Sequence, residues 1–385
     1  MPTRLTGNWR LFVGLLALAL VAACGAPAAQ VEPIRIGVIA PLTGQFVENG
    51  ISTRQAADLA IKDINAQGGL LVDGVRRPVV LIYGDDQDNP EIAVNVAKRM
   101  INQDKVVALV GLPFSRMAIP VANIAEQARI PLISSTSTNP KTTAGKKYVF
   151  RVTFTDPFQG SVMAQFARND LKVERAAVLY DEASDYNRGI AEVFKQVFTE
   201  SGGTVVSFEP YITGATDFRA ALGRIKANQA QVLFLPNYYT EVPLQAQQAR
   251  ELGMDIPLLG SDGWDIKALA PLPELDGAYI SQSWHPDTAN PPAQVFIKAY
   301  QAAYNGAVPY DIEANTYDTF GLLFQAIQNQ KSSDPEAIRA GLANLRYTGV
   351  TGQITFHGSG DPAKIAVIVQ FKDGTNVFHQ SVNPP

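Results

Sequence analysis

The chain has 385 residues, with 32 Lys and Arg against 36 Asp and Glu and a formal net charge of −4. A balance this near neutrality, with no basic block, argues against a nucleic-acid partner, because phosphate binding rests on clustered Lys and Arg. One cysteine, Cys24, excludes an intramolecular disulfide, and the length exceeds what one hydrophobic core usually serves, so two domains are expected.

Arg4 and Arg10 precede an apolar run from Leu11 to Ala22, and Val21-Ala22-Ala23-Cys24 places small residues before the cysteine. This pattern predicts a signal peptide over residues 1–23. The run is shorter than the roughly 20 apolar residues a membrane span needs. Val-Ala-Ala-Cys resembles a bacterial lipobox, which implies that Cys24 is lipidated and becomes the new N-terminus; the alternative is an ordinary signal peptide with an incidental cysteine. Acyl chains contribute about 0.8 kcal/mol per buried methylene, so more than one would anchor the protein without a spanning helix. Residues 24–33, small and rich in Ala and Pro, read as a tether. Residues 1–23 carry two arginines and no acid, so their removal takes the net charge from −4 to −6. No later apolar run is long enough to span a bilayer, and the expected location is extracytoplasmic, anchored by lipid to a bacterial membrane.

From Ile34 onward short β-branched runs alternate with helical patterns, the signature of βαβ units and buried parallel sheets. Ile34 to Ile39 is the first predicted strand. A helix follows over about 51–65, with Ala57, Ala60, Ile61 and Ile64 on one face and Gly68-Gly69 as a stop. Val79 to Tyr83 is the next strand, and Asn89-Pro90-Glu91 offers a cap, a first-turn proline and an acid for a helix to about Asn102. Strands at 106–110 and 131–134 flank a helix near 118–128. The rhythm restarts at about Asp156, with strands at 176–180, 205–208, 232–235 and 257–260 separated by helices over 188–201, 217–228 and 241–252. Residues 291–345 read as mainly helical and 353–372 as a few strands, too little for a third domain, so the tail is expected to complete two α/β lobes. A ligand cleft would lie at the carboxyl ends of their strands.

Enzymatic constellations are thin. Only His285, His357 and His379 are present, with no His-Glu-x-x-His and no Cys/His cluster for zinc. Neither a Gly-x-Ser-x-Gly elbow nor a phosphate-binding glycine loop follows any strand. A binding protein without cofactor or metal is the expectation, ahead of an exported enzyme.

Three runs carry a family resemblance: Ile36-Gly37-Val38-Ile39-Ala40-Pro41-Leu42-Thr43-Gly44, Asp63-Ile64-Asn65-Ala66-Gln67-Gly68-Gly69, and Gly84-Asp85-Asp86-Gln87-Asp88-Asn89-Pro90. In their order and spacing the chain from Ile34 to about Gly374 resembles the leucine/isoleucine/valine-binding family of periplasmic receptors that feed ABC transporters. The resemblance implies the type I periplasmic-binding-protein fold, an α/β architecture of two doubly wound parallel-sheet lobes joined by three crossovers. Lobe 1 is then expected over 34–154 plus about 283–355, and lobe 2 over 155–282 plus about 356–382.

It also implies a site. The ligand α-carboxylate is expected at Gly111-Leu112-Pro113-Phe114-Ser115 and Ile133-Ser134-Ser135-Thr136-Ser137-Thr138-Asn139-Pro140. There Ser115 and Thr138 would supply hydroxyls, and the Ser137 carbonyl would accept from the ligand ammonium. Ser115 at a helix start suits an anion; its alternative is a plain N-cap, and that of the Ser/Thr run a polar loop. Tyr186, one or other of Tyr238 and Tyr239, and the carboxylate of Asp262 in Gly260-Ser261-Asp262-Gly263-Trp264 are expected from the second lobe. Asp262 would hold the ammonium, unless it only stabilises an Asp-Gly turn. Where the family has an aromatic residue before a glycine in its first loop, this chain has Asn49-Gly50, either a polar ligand contact or a turn. The family's disulfide is absent.

The resemblance implies a small-molecule ligand, an amino acid or amino-acid-like solute, delivered to an ABC transporter permease by a monomeric binding protein. Ligand sensing is a second reading, as is binding of urea, short amides or aromatic acids.

Overall fold

In the computed structural model, which describes residues 1–3, 31–288 and 290–384, the first predicted strand forms β1 (Ile34–Ala40), buried at all but one position. Such burial fits a parallel strand covered on both faces. Cys24 and most of the expected leader and tether lie outside the described residues. The chain after β1 runs through α1 (Val47–Ala66), a small hairpin of β2 (Leu70–Val72) and β3 (Val75–Arg77), β4 (Val79–Asp85), α2 (Pro90–Asn102), β5 (Ala108–Gly111), α3 (Ser115–Ala128), β6 (Leu132–Ser134) and β7 (Val149–Arg151). Five strands pair in parallel in the order β4-β1-β5-β6-β7. Asn89 caps α2 as the sequence pattern predicts, accepting from the amides of Glu91 and Ile92 with Pro90 at the first turn.

The second lobe repeats the build: α4 (Asp156–Asn169), β8 (Arg175–Asp181), α5 (Asp185–Glu200), β9 (Thr204–Tyr211), α6 (Arg219–Ala227), β10 (Val232–Leu235), α7 (Val242–Glu251), β11 (Leu258–Gly260) and β12 (Tyr279–Gln282). Then α8 (Pro291–Ala303), α9 (Asp311–Gln330), α10 (Pro335–Leu342) and the hairpin of β13 (Arg346–Gly349) and β14 (Gly352–Thr355) return to the first lobe. There Phe320, Leu323 and Ile327 of α9 pack with Ile36, Val38 and Val110. Finally β15 (Ala366–Lys372) and β16 (Thr375–Val382) add antiparallel strands to the second sheet, whose order is β16-β15-β12-β11-β10-β8-β9. The chain thus crosses between lobes three times, at 152–155, 283–290 and 356–365.

Counted along the chain, the parallel strands of both sheets run 2-1-3-4-5. The order reverses between β1 and β5 in one lobe and between β8 and β10 in the other. Ligand crevices form outside the carboxyl ends of strands at such reversals.

Three helices, α1, α3 and α5, start earlier than predicted. The first turn of α1 already closes the amides of Asn49 and Gly50 onto the Phe46 carbonyl, at 3.1 and 3.3 Å, so Asn-Gly sits in a helix and not in a turn. α3 begins at Ser115 although it carries Pro120; a proline that near the start forfeits a single intrahelical bond. β7, three residues without alternation, gave no strand signal.

Arg151 ends β7 and is fully buried. Its guanidinium donates to Asp361 (2.6 Å), the Ser137 carbonyl (2.5 Å), the Asn139 carbonyl (2.8 Å) and Thr143 (2.8 Å), tying the third crossover to the loop after β6. Arg151→Met would leave these acceptors unpaired. The expected loss is about 3–5 kcal/mol of stability, read as a lower urea midpoint at unchanged m.

Candidate functional site

Each lobe presents its strand-to-helix loops to the other. On lobe 1, β5 ends at Gly111 with φ +97°, where a side chain would meet the Ile39 carbonyl 2.5 Å away. This tight exit aims residues 112–115 at the seam. Ser115 is the first residue of α3 and does not cap it. Its hydroxyl lies 2.9 Å from that of Ser137 and accepts from the Asn139 amide at 3.3 Å, while Ser137 reaches Thr142 at 2.8 Å. The Met117 and Ala118 amides close onto the Phe114 carbonyl at 3.1 and 2.9 Å, while those of Ser115 and Arg116 precede the first intrahelical bond, so this corner presents donors with the positive end of the helix dipole behind them.

On lobe 2, β11 ends at Gly260, where a Cβ would stand 2.4 Å from the indole of fully buried Trp264. Trp264 in turn donates to the Leu235 carbonyl at 3.0 Å, which fixes the short turn carrying Asp262. The Tyr186 hydroxyl donates to Asp262 Oδ1 at 2.6 Å, stands 2.9 Å from Ser261 Oγ and accepts from the Gly263 amide at 2.9 Å. Burial pushes the Asp262 carboxyl up to about 6, held back by Tyr186, Gln159 and backbone amides.

Between the two corners is a narrow cavity of about 30 Å³. Asn49, Phe114, Ser115 and Thr136 line it from the first lobe, Tyr186, Tyr238, Asp262 and Asp265 from the second, with Asp311 and Ile312 of α9 at one end. Rings close the seam: Phe46 and Phe114 meet at 4.5 Å, each takes the Tyr238 ring edge-on at 5.5 and 5.2 Å, and Tyr186 stacks on Tyr238 at 4.9 Å. Tyr239 points elsewhere, packing on Phe46 at 5.4 Å with its hydroxyl 3.5 Å from the Gln45 carbonyl across the lobes.

The geometry separates the expected site residues. Asn49, Ser115, Tyr186, Tyr238 and Asp262 line the cavity; Ser137, Thr138 and Tyr239 do not. Thr136, one residue before Ser137, takes the place facing the cleft. The Ser137 carbonyl is engaged by Arg151, and Thr138 is fully buried with its side chain beside the Asp156 carboxyl.

Sequence reasoning missed Phe46, Thr136, Asp265, Asp311, Ile312 and Asp156. Asp156, 1% exposed at the first position of α4, has neither oxygen in a well-formed hydrogen bond. Burial pushes it up to about 8, with Asp262 adding to the rise and Thr138, Arg151 and Asn139 opposing it. Its only sequence signal is an acid opening the first helix of the second lobe. Among the described residues no group of three or more His, Cys, Asp or Glu could hold a metal ion, and no helix is long and apolar enough to cross a membrane.

This two-lobed clamp with its cleft at both topological reversals defines a solute-binding protein, and the comparisons agree. Residues 33–375 match the family model described as periplasmic binding protein. A Leu/Ile/Val-binding protein homolog from Brucella melitensis is 28% identical over 359 residues, 90% of this chain and 93% of the relative. The leucine-binding protein LivK from Thermotoga maritima superposes with a TM-score of 0.86 at 32% identity, covering 91% of this chain and 99% of that one. LivJ from Streptococcus pneumoniae, solved with isoleucine, gives 0.84 at 29% identity, with 92% and 100% covered. The chain belongs to the periplasmic binding protein family, in its leucine/isoleucine/valine-binding group.

Asp156 at about 8 and Asp262 at about 6 both lie above their unfolded value, so the folded, ligand-free protein binds more protons than the unfolded chain between about pH 4 and 8. Their contribution to stability is present at the acid end of that window and is lost as pH rises through it. The melting temperature of ligand-free protein is therefore expected to be higher at about pH 5.5 than at about pH 8, checked by scanning calorimetry.

Proposed function

We propose that this protein is an extracytoplasmic lipoprotein that binds an amino acid in the interlobe cleft and delivers it to the permease of an ABC importer, acting as a monomer. The observation that carries the reading is the opposition of unlike groups across one cavity. Ser115 and the α3 amides on lobe 1 offer donors to a carboxylate. Asp262, held by Tyr186 on lobe 2, offers an acceptor to an ammonium. A zwitterion satisfies both at once, Thr136 lies beside the carboxylate corner, and the Tyr238 face covers the ligand. Asp156, whose charge also acts on Asp262's neighbour Tyr238, strengthens the pull on the ammonium from behind.

Removing one partner of such a desolvated charge pair costs about 2–5 kcal/mol. Asp262→Ala is expected to weaken amino-acid binding by well over tenfold in calorimetric titration, with a melting curve close to wild type. If affinity holds while the melting temperature falls, Asp262 only shapes its turn, and acids or amides without an ammonium become the better ligands.

Membrane tethering rests on Val21-Ala22-Ala23-Cys24. Cys24→Ala is expected to move the folded protein from the membrane pellet to the soluble fraction; a mutant that still pellets overturns the anchor.

A further inference from the structure

Beyond the two corners that would hold a zwitterion, the far end of the cavity is lined by acceptors. Asp265 accepts from Gln282 through one oxygen and from the Ile312 amide through the other, at 3.2 Å. Asp311, one residue earlier on α9, takes Ser283 on Oδ1 at 2.7 Å, with the Asn315 side chain also supporting it. Asn49 faces the same space from α1, 8% exposed, and its Oδ1 has no partner. Past Asp265 and Ile312 the cavity adjoins a larger hollow whose acids are Glu48 and Glu313. Two basic residues lie near: Lys364 acts on Asp311 from the third crossover, and Lys267 sits over the Tyr310 ring, 5.5 Å from its centroid. Neither is bonded to Asp265.

We propose that the end of the cavity formed by Asn49, Asp265 and Asp311 selects an amino acid whose side chain ends in hydrogen-bond donors over one that ends in methyl groups. This rests on the amino-acid reading given above and names the class of side chain. Enclosed carboxylates and an unpaired amide oxygen are costly beside methyl groups and are satisfied by an ammonium, guanidinium, amide or hydroxyl. Burial and mutual repulsion raise the Asp265 carboxyl well above its ordinary value, and burial brings Asp311 to about 7, so a donor arriving here relieves both. Ile312 lines the cavity beside the two acids, with Ile51 and Ile266 in the adjoining hollow, and gives apolar cover to an alkyl stem whose tip reaches the acceptors.

The test is calorimetric titration of the full mature chain, stripped of bound solute by unfolding and refolding, with leucine, glutamine, ornithine and lysine. The expected result is that glutamine, ornithine or lysine binds at least about tenfold more tightly than leucine. Preference for glutamine identifies a neutral donor, and preference for ornithine or lysine a cationic one. Asn49→Leu, a change on the first turn of α1, is expected to weaken the preferred donor ligand by about tenfold or more and to strengthen leucine. Asp311→Asn, with a melting curve for each variant, should weaken a cationic ligand more than glutamine. Leucine binding as tightly as the best donor ligand, or Asn49→Leu shifting all ligands alike, overturns the proposal and leaves the amino-acid reading intact. If none of the four binds while the protein is folded, the amino-acid reading falls with it.

Discussion

Asp262 reaches the seam between the lobes on a short turn after β11, and what holds it there is a tyrosine hydroxyl, a glutamine and backbone amides, not a cation. Asp156 sits close behind with less support still. Two carboxyls enclosed together repel each other and lose their hydration, and both effects favour the neutral forms. A ligand ammonium placed as proposed would reverse the preference, because a positive charge between them stabilises the ionised state. The cost of burying these acids would then be tied to ligand, unlike that of a structural ion pair that carries its own partner.

That contrast is visible at the crossovers. Arg151 is as buried as any described side chain, yet each of its three guanidinium nitrogens meets an acceptor, on the third crossover or in the loop after β6. Lys364, on the third, donates to the Thr351 carbonyl at 2.9 Å and to its hydroxyl. Burial pulls its ammonium down to about 8, while Asp318 and Asp311 hold it up. Asp318 closes the knot by accepting the amides of Val350 and Thr351 at 2.7 and 2.8 Å. These two buried cations are bonded within the protein, whereas the facing loops carry Asn49 Oδ1 without a partner and both oxygens of Asp156 without a well-formed hydrogen bond.

Local signals explain what could be read in advance. The alternation of buried strands with helices identifies the parallel strands of both sheets except β7 and β12, and Ser115, Tyr186, Tyr238 and Asp262 are accessible because each stands shortly after a strand, on the connecting loop or in the first turn that follows. Adjacency of Tyr238 and Tyr239 said that they point apart but not which one meets the cleft; the ring of Phe46 takes Tyr239 and frees Tyr238 to stack on Tyr186. Thr136 and not Ser137 meets the cleft because register within an irregular loop has no period, and long-range bonds such as that of Arg151 to the Ser137 carbonyl set it. Asp311 and Ile312 lie in the helical tail and reach the cavity through the second crossover, a long-range consequence of topology that no local pattern records. Asn49 was open between a ligand contact and a turn, and the early start of α1 removes the turn.

Two opposed terms therefore act on closure of the cleft. The rings of Phe46 and Phe114 against Tyr238 and Tyr239 join the lobes irrespective of ligand, each pair contributing about 0.5–1.5 kcal/mol beyond its buried area. Enclosing Asp156 and Asp262 opposes them by an amount of the same order, a few kcal/mol, that depends on pH and on what lies between the lobes. When two such terms nearly cancel, open and closed arrangements differ by little, and a modest differential affinity for the closed one is enough to shift the population. On the proposed reading, a ligand ammonium between the carboxylates would supply that difference, with the aromatic contacts holding closure within reach.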